Sequence, residues 1–156
     1  MKFIVDCNVG RLARWLRIAG FDTLFEKDID DGRLVRLALA DDRVLLTRDT
    51  GILDRRVAVS GRLKVLLIEY DDVKLQLGQV FSALDIADEM KPFTVCPNCN
   101  GSLEPRDKED VKEIVPPYVF KTKDQFMQCP DCVRVYWRGT HWQRMARELE
   151  NLAGRT

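Results

Sequence analysis

Two kinds of residue in this 156-residue sequence have the types and spacing to do chemistry. The first are cysteines. Cys96-Pro97-Asn98-Cys99 and Cys129-Pro130-Asp131-Cys132 are near copies, and each can present two thiolates from a tight turn to one tetrahedral ion. Together Cys96, Cys99, Cys129 and Cys132 complete a four-sulfur shell for Zn²⁺. Such a shell leaves no position for water or substrate, so the ion would hold a small core together rather than perform chemistry. A redox dithiol in each pair is the competing interpretation, but the flanking prolines and aromatic strand-like segments fit a zinc ribbon better. Ribbons serve nucleic-acid binders and purely structural inserts alike, so this site selects no activity by itself.

The second are aspartates. Asp6 and Asp49 each follow an apolar strand-like run, and in open parallel sheets the carboxyl ends of the strands form the crevice where ligands bind. Asp31 is near enough in the chain to join them, with Asp30 and Asp28 as alternates on the same loop. Clustered carboxylates repel one another unless a divalent cation shares them, and such an oxygen-rich environment suits Mg²⁺ or Mn²⁺. A cation held this way can activate water and neutralise charge on a phosphodiester under in-line attack, which makes hydrolysis of nucleic acid the natural use. Taken singly, each Asp reads better as a turn residue or helix cap. Only their arrangement argues otherwise.

The elements that must position these groups alternate along the chain. Phe3-Ile4-Val5 predicts a strand, followed by a helix with Leu12, Trp15, Leu16 and Ala19 on one face and Arg11, Arg14 and Arg17 on the other. Gly20 supplies a stop before the strand-like Thr23-Leu24-Phe25. A second helix carries Leu34, Leu37 and Ala38, and Arg43 to Thr47 suits a strand buried on both faces. A short helical segment over Ile52 to Val59, another buried strand over Lys64 to Ile68, and a helix marked by Leu75, Val80, Phe81 and Leu84 complete the series. The alternation implies an α/β fold with a mostly parallel sheet flanked by helices and right-handed crossovers. It stops around Met90 to Phe93, which places a domain boundary near residue 91: residues 1–91 form the first domain and 92–156 a small zinc ribbon with a C-terminal helix. Lys108 to Glu113 is dense in charge and reads as a solvated surface segment.

Lys plus Arg and Asp plus Glu both total 25, so nucleic-acid affinity would have to come from a local patch. The amino terminus reaches a charge too soon for a signal peptide, and no apolar run approaches membrane-spanning length, so a cytoplasmic protein with no membrane partner is expected. Arg48, beside Asp49, can bind a scissile phosphate or neutralise the acids. Arg11, Arg14 and Arg17 can track an RNA backbone, although a solvated helix face is the simpler role. His141 lies with Trp137 and Trp142 in the one basic, aromatic stretch, Arg134 to Arg147, whose rings can stack on unpaired bases. Packing of the ribbon onto the first domain is the simpler use of those tryptophans. Asn8 is expected to cap the first helix, and Cys7 to be a small buried thiol.

Asp6, the run Leu12-Ala13-Arg14-Trp15-Leu16-Arg17, Gly20-Phe21-Asp22, Leu46-Thr47-Arg48-Asp49, the cysteine pairs and Tyr136-Trp137-Arg138-Gly139-Thr140-His141 resemble the Mut-seven C-terminal ribonuclease family, from Lys2 to about Trp142. That family is regarded as a PIN-like nuclease domain fused to a zinc ribbon. The resemblance implies a PIN-like α/β fold and metal-dependent cleavage of RNA, with Asp6, Asp31 and Asp49 on the positions of the family's acidic residues. Three departures stand out. Cys7-Asn8-Val9 occupies a place where a more apolar pair is expected, Asp30-Asp31 leaves the register of the second acid between two residues, and a fourth acid has Asp54 as its nearest candidate. The leading expectation is a ribonuclease using Mg²⁺ or Mn²⁺, with a structural zinc in an RNA-contacting ribbon. Its rival is a non-catalytic zinc-ribbon module that binds RNA or protein.

Overall fold

The computed structural model describes residues 1–154; Arg155 and Thr156, the end of the segment assigned to the ribbon, lie outside the described residues. Four parallel strands, β1 (Phe3–Val5), β2 (Thr23–Leu24), β3 (Val44–Thr47) and β4 (Val65–Leu67), pair in the order β2-β1-β3-β4. The two central strands read as unbroken apolar runs because both of their faces are covered. Alternate side chains divide between two cores. Phe3, Val5, Val44 and Leu46 face α1 (Gly10–Ile18) and α5 (Val73–Leu84), whereas Ile4 and Leu45 face α2 (Asp31–Ala40), α3 (Thr50–Leu53) and α4 (Arg56–Val59). The α/β architecture expected from the alternation is therefore present, with helices on both faces of a parallel sheet.

Because β2 lies on one side of β1 and β3 on the other, the direction of winding reverses between β1 and β3. A crevice opens at such a reversal, at the carboxyl ends of the two strands. Asp6 directly follows β1 and Asp49 lies two residues beyond β3.

A three-stranded antiparallel sheet follows, ordered β5 (Glu104–Arg106), β6 (Phe126–Gln128) and β7 (Val135–Trp137), with α6 (Pro117–Thr122) between β5 and β6. It has a small core of its own, formed by Val111, Val115, Val119 and Phe126. The charged segment from Lys108 to Glu113 is thus more than solvated surface: Val111 within it is fully buried. The last helix, α7 (Thr140–Leu152), returns to the first core, where Met145 and Leu149 are buried beside α1 and α5.

Local departures from the expected pattern have simple causes. β4 is an edge strand, and its residues are half-buried rather than covered on both faces. Leu75 is exposed on α5, while Gln76 is buried and donates through Nε2 to the Tyr70 carbonyl at 2.9 Å. The Ile52 to Val59 segment is two short helices, since the Arg55 backbone is extended between them.

Candidate active site and metal centre

At the cysteine site, backbone turns bring the two pairs together. Asn100, directly after Cys99, and Val133, directly after Cys132, both have positive φ, which reverses the chain at each knuckle. The Cys96 and Cys99 turn is closed by Asn100 N donating to the Cys96 carbonyl at 2.9 Å, and the second by Val133 N donating to the Cys129 carbonyl at 2.9 Å. All four Sγ atoms lie within 4.8 Å of one another, with Cys96 and Cys132 at 3.7 Å and Cys99 and Cys129 at 3.3 Å. Four thiolates about 2.3 Å from a tetrahedral Zn²⁺ would stand about 3.8 Å apart, so the donor set fits that ion. Burial and neighbouring thiols push the Cys99 thiol up to about 12, so four metal-free thiols do not ionise together. Bound there, zinc would supply folding free energy through a closed shell. The Tyr136 hydroxyl lies 3.1 Å from Cys96 Sγ, placed to donate to a thiolate. Gly101 leaves no room for a side chain, since a Cβ there would fall 2.8 Å from Cys129 Sγ.

Arg17 is a correction to the sequence analysis. It does not join Arg11 and Arg14 on the exposed face of α1 but is buried, donating through Nε to the Thr23 carbonyl at 2.9 Å and through Nη1 to the Pro97 and Asn98 carbonyls at 3.2 and 3.3 Å. Those carbonyls belong to the first cysteine knuckle. Burial lowers the Arg17 pKa against the opposing pull of Cys96 and Cys99. Asn100 completes the joint: its Oδ1 accepts from Thr23 N at 2.7 Å and its Nδ2 donates to Asp22 Oδ1 at 2.6 Å. Gly20, the expected helix stop, is also part of it, because at φ +97° its Cα faces the Lys91 carbonyl and an added Cβ would come within 2.1 Å of that oxygen. The ribbon is hydrogen-bonded to the α/β core.

The aspartates meet at the winding reversal. Asp6 is 4% exposed, and its two oxygens are engaged: Oδ1 accepts from Cys7 N at 2.8 Å, and Oδ2 accepts from Thr47 Oγ1 at 2.7 Å. Thr47 Oγ1 in turn accepts from Asp49 N at 3.0 Å, so one buried hydroxyl ties the ends of β1 and β3 together. Asp49 Oδ1 accepts from Gly51 N at 2.8 Å and starts α3. Asp31, at the start of α2, reaches the same place: its carboxyl is raised from the ordinary value by burial, then by the Asp49 carboxylate and by Asp6, with Arg55 opposing. These carboxylates are less tightly gathered than the cysteines, for among the described residues only the four sulfurs form a ligand group within 4.8 Å.

The remaining expected residues take other places. Asp30 Oδ1 caps α2 by accepting from Arg33 N at 2.8 Å. Asp54 is exposed at the end of α3. The Arg48 guanidinium pairs with Asp71 and with the Tyr70 carbonyl, pointing toward the start of α5 rather than hanging free over Asp49. Asn8 does not cap α1; its Oδ1 accepts from Arg48 N at 3.3 Å. Cys7 is exposed rather than buried, its thiol pushed up chiefly by desolvation and by Asp6. Arg14 and His141 are both exposed and line one cleft between α1 and α7.

A model of the Mut7-C RNAse domain matches residues 1–149. The chain belongs to the Mut7-C RNAse domain family. Both sheets and most of α7 fall inside the match, so the cysteine site and the aspartate site are parts of one Mut7-C unit. Membership points to a nuclease-like role and agrees with the resemblance drawn from the sequence. No curated protein and no solved structure matches the chain. Among the described residues, no helix is long and apolar enough to cross a membrane.

Proposed function

We propose that this Mut7-C chain is a ribonuclease that hydrolyses RNA phosphodiester bonds at Asp6, Asp31 and Asp49, with zinc held by the four cysteines as a structural ion. The observation that carries this reading is the meeting of three acids from three different segments at the winding reversal, two of them, Asp6 and Asp49, tied through the Thr47 hydroxyl. Open α/β sheets commonly bind ligands at such a crevice, which supports this reading. A fold gains nothing from gathering like charges there, since each raises the cost of ionising its neighbours.

The three carboxylates are hard oxygen donors of the kind that hold Mg²⁺ or Mn²⁺. Bound there, such a cation would offset the charge of the scissile phosphate and acidify a water. The protein's part is to fix the acids. Asp6 is oriented by two donors and shielded from bulk water, so it remains an acceptor in one rotamer. Asp49 is held by the bond its Oδ1 accepts from Gly51 N, and its carboxyl group also meets that of Asp31. The Asp31 carboxyl is raised by burial and by Asp49 and Asp6, a repulsion that a shared cation would relieve. Arg55 lies near enough to Asp31 to temper the repulsion, a role the sequence analysis did not assign.

The test is cleavage of labelled single-stranded and hairpin RNA by the full chain with Mg²⁺ or Mn²⁺, beside Asp49→Asn and a chelator control. Metal-dependent products that disappear in the variant are expected. Absence of cleavage with retained RNA binding would instead favour the non-catalytic module.

A further inference from the structure

We infer that single-stranded RNA runs along the cleft between α1, α5 and α7, with its phosphates on Arg11, Arg14 and Arg144 and one unstacked base in the aromatic pocket beside His141. This rests on the proposed ribonuclease reading for its substrate and adds where that substrate lies.

The cleft has a volume of about 360 Å³ and is lined by Arg11, Arg14 and Trp15 of α1, Lys74 of α5, and His141 and Arg144 of α7. Its one lining acid, Glu148, is bonded to Lys74 at 3.2 Å. Arg11, Arg14 and Arg144 have no carboxylate within salt-bridge distance among the described residues. In a chain whose formal charge is zero, three unpartnered guanidinium groups lining one cleft form a local positive field. Guanidinium forks suit phosphate oxygens.

On the side of the acids, the cleft shares Arg11 with a second depression. Cys7 and Asn8 also line that depression, and Asp6 holds the Cys7 N–H at 2.8 Å. At the other end His141 is shared with a separate pocket of about 220 Å³, walled by Phe93, Trp137 and Trp142 and almost wholly apolar. Phe93 and Trp142 meet edge to face at 5.4 Å, and the Arg138 guanidinium lies over both rings, 4.9 Å from Trp142 and 5.3 Å from Phe93. Phe93 keeps a φ of +70°, a conformation bulky residues rarely adopt. Such strain persists where the surroundings hold it and collects at ligand sites.

The charge pattern selects the occupant. A positive cleft joined to an aromatic pocket matches a polyanion that carries flat apolar rings at regular intervals, which is single-stranded nucleic acid. An acidic peptide would satisfy the arginines and leave the pocket without a ligand. Duplex RNA would keep its bases stacked and out of reach.

The experiment is fluorescence-anisotropy binding of a labelled single-stranded RNA to the full zinc-loaded chain without added Mg²⁺ or Mn²⁺, so that cleavage does not enter. Replacing Arg11, Arg14 and Arg144 together by Gln should lower affinity at least tenfold and reduce the salt slope by about 2, since each phosphate contact on a single strand contributes about 0.7. Trp142→Ala should weaken binding about tenfold with the salt slope unchanged, and should leave binding of an abasic oligonucleotide unaffected. His141→Ala, at an exposed position, carries the same comparison should Trp142→Ala not fold. Unchanged affinity in the triple variant would overturn the path, and equal losses on RNA and on the abasic probe would overturn the base pocket. The pattern can hold in a chain that never cleaves RNA, and it can fail in one that does, so this inference and the ribonuclease proposal stand or fall separately.

Discussion

The cysteine site and the aspartate site solve opposite problems. At the first, four ligand atoms lie within 4.8 Å, two of the cysteines are fully buried, and the surrounding backbone, Tyr136 and Arg17 hold the knuckles in place. At the second, carboxylates come from separate segments, only Asp6 is buried, and the group is held together by one hydroxyl and two helix starts. A closed shell with satisfied surroundings favours stability. An open, like-charged cluster at a crevice favours chemistry at the expense of stability. The difference teaches which site should govern folding and which should govern turnover, and each variant below either breaks or sharpens that division.

The largest effect is expected at the cysteines. Cys96→Ser should release zinc and unfold the ribbon, a loss of several kcal/mol given that structural zinc contributes about 10 kcal/mol or more to small metal-dependent domains. Zinc content and near-ultraviolet circular dichroism check it; an ordered ribbon without zinc would break the comparison. Next comes Asp6→Asn, which should lower RNA cleavage by about 10³-fold, equivalent to about 4 kcal/mol of transition-state stabilisation. Its melting temperature should stay within a few degrees of the parent, as measured by scanning calorimetry.

Arg17→Ala sits between the two sites. It removes a charged donor from three backbone carbonyls, two of them on the first knuckle, and should cost about 2 kcal/mol, or about 6 °C in melting temperature for a chain of this length. Its RNA affinity should not change, because the guanidinium is buried in the joint.

The smallest effect concerns Asp31. Its carboxyl is raised in the folded chain by burial and by Asp49 and Asp6, so the folded state holds that proton more tightly than the unfolded state. The ionised group therefore costs stability above its folded pKa, and the cost disappears as pH falls toward the unfolded value of about 4. Metal-free Asp31→Asn should melt higher than the parent at pH 7 and at the same temperature near pH 4. Thermal melts at the two pH values without divalent cations other than the ribbon zinc decide this.

What the sequence made legible follows the range of the interactions. Cys-x-x-Cys is a local geometry, so the four candidate ligands could be read directly, and the alternation of elements was enough for the parallel sheet. The acids were legible only through topology: Asp6 and Asp49 are 43 positions apart, and nothing local distinguishes Asp31 from Asp30 until the latter is seen capping α2. Arg17 was misplaced because the helical pattern was read for one partner, whereas α1 has two, the sheet and the ribbon, which bury Ala13 and Arg17 as well as Leu12 and Leu16. Val111, Val115 and Val119 recur at a spacing of four, a signal for the ribbon core that the surrounding charges and prolines obscured.

The central claim is that the two sites divide the work, and one titration tests it most directly. The chain carrying one equivalent of zinc, freed of other divalent cations, is titrated with Mn²⁺ while RNA cleavage and circular dichroism are followed together. The account predicts cleavage that rises from nothing with Mn²⁺, is absent in Asp49→Asn, and leaves the dichroism unchanged throughout. Cleavage already complete before Mn²⁺ is added, and undiminished in Asp49→Asn, would contradict it.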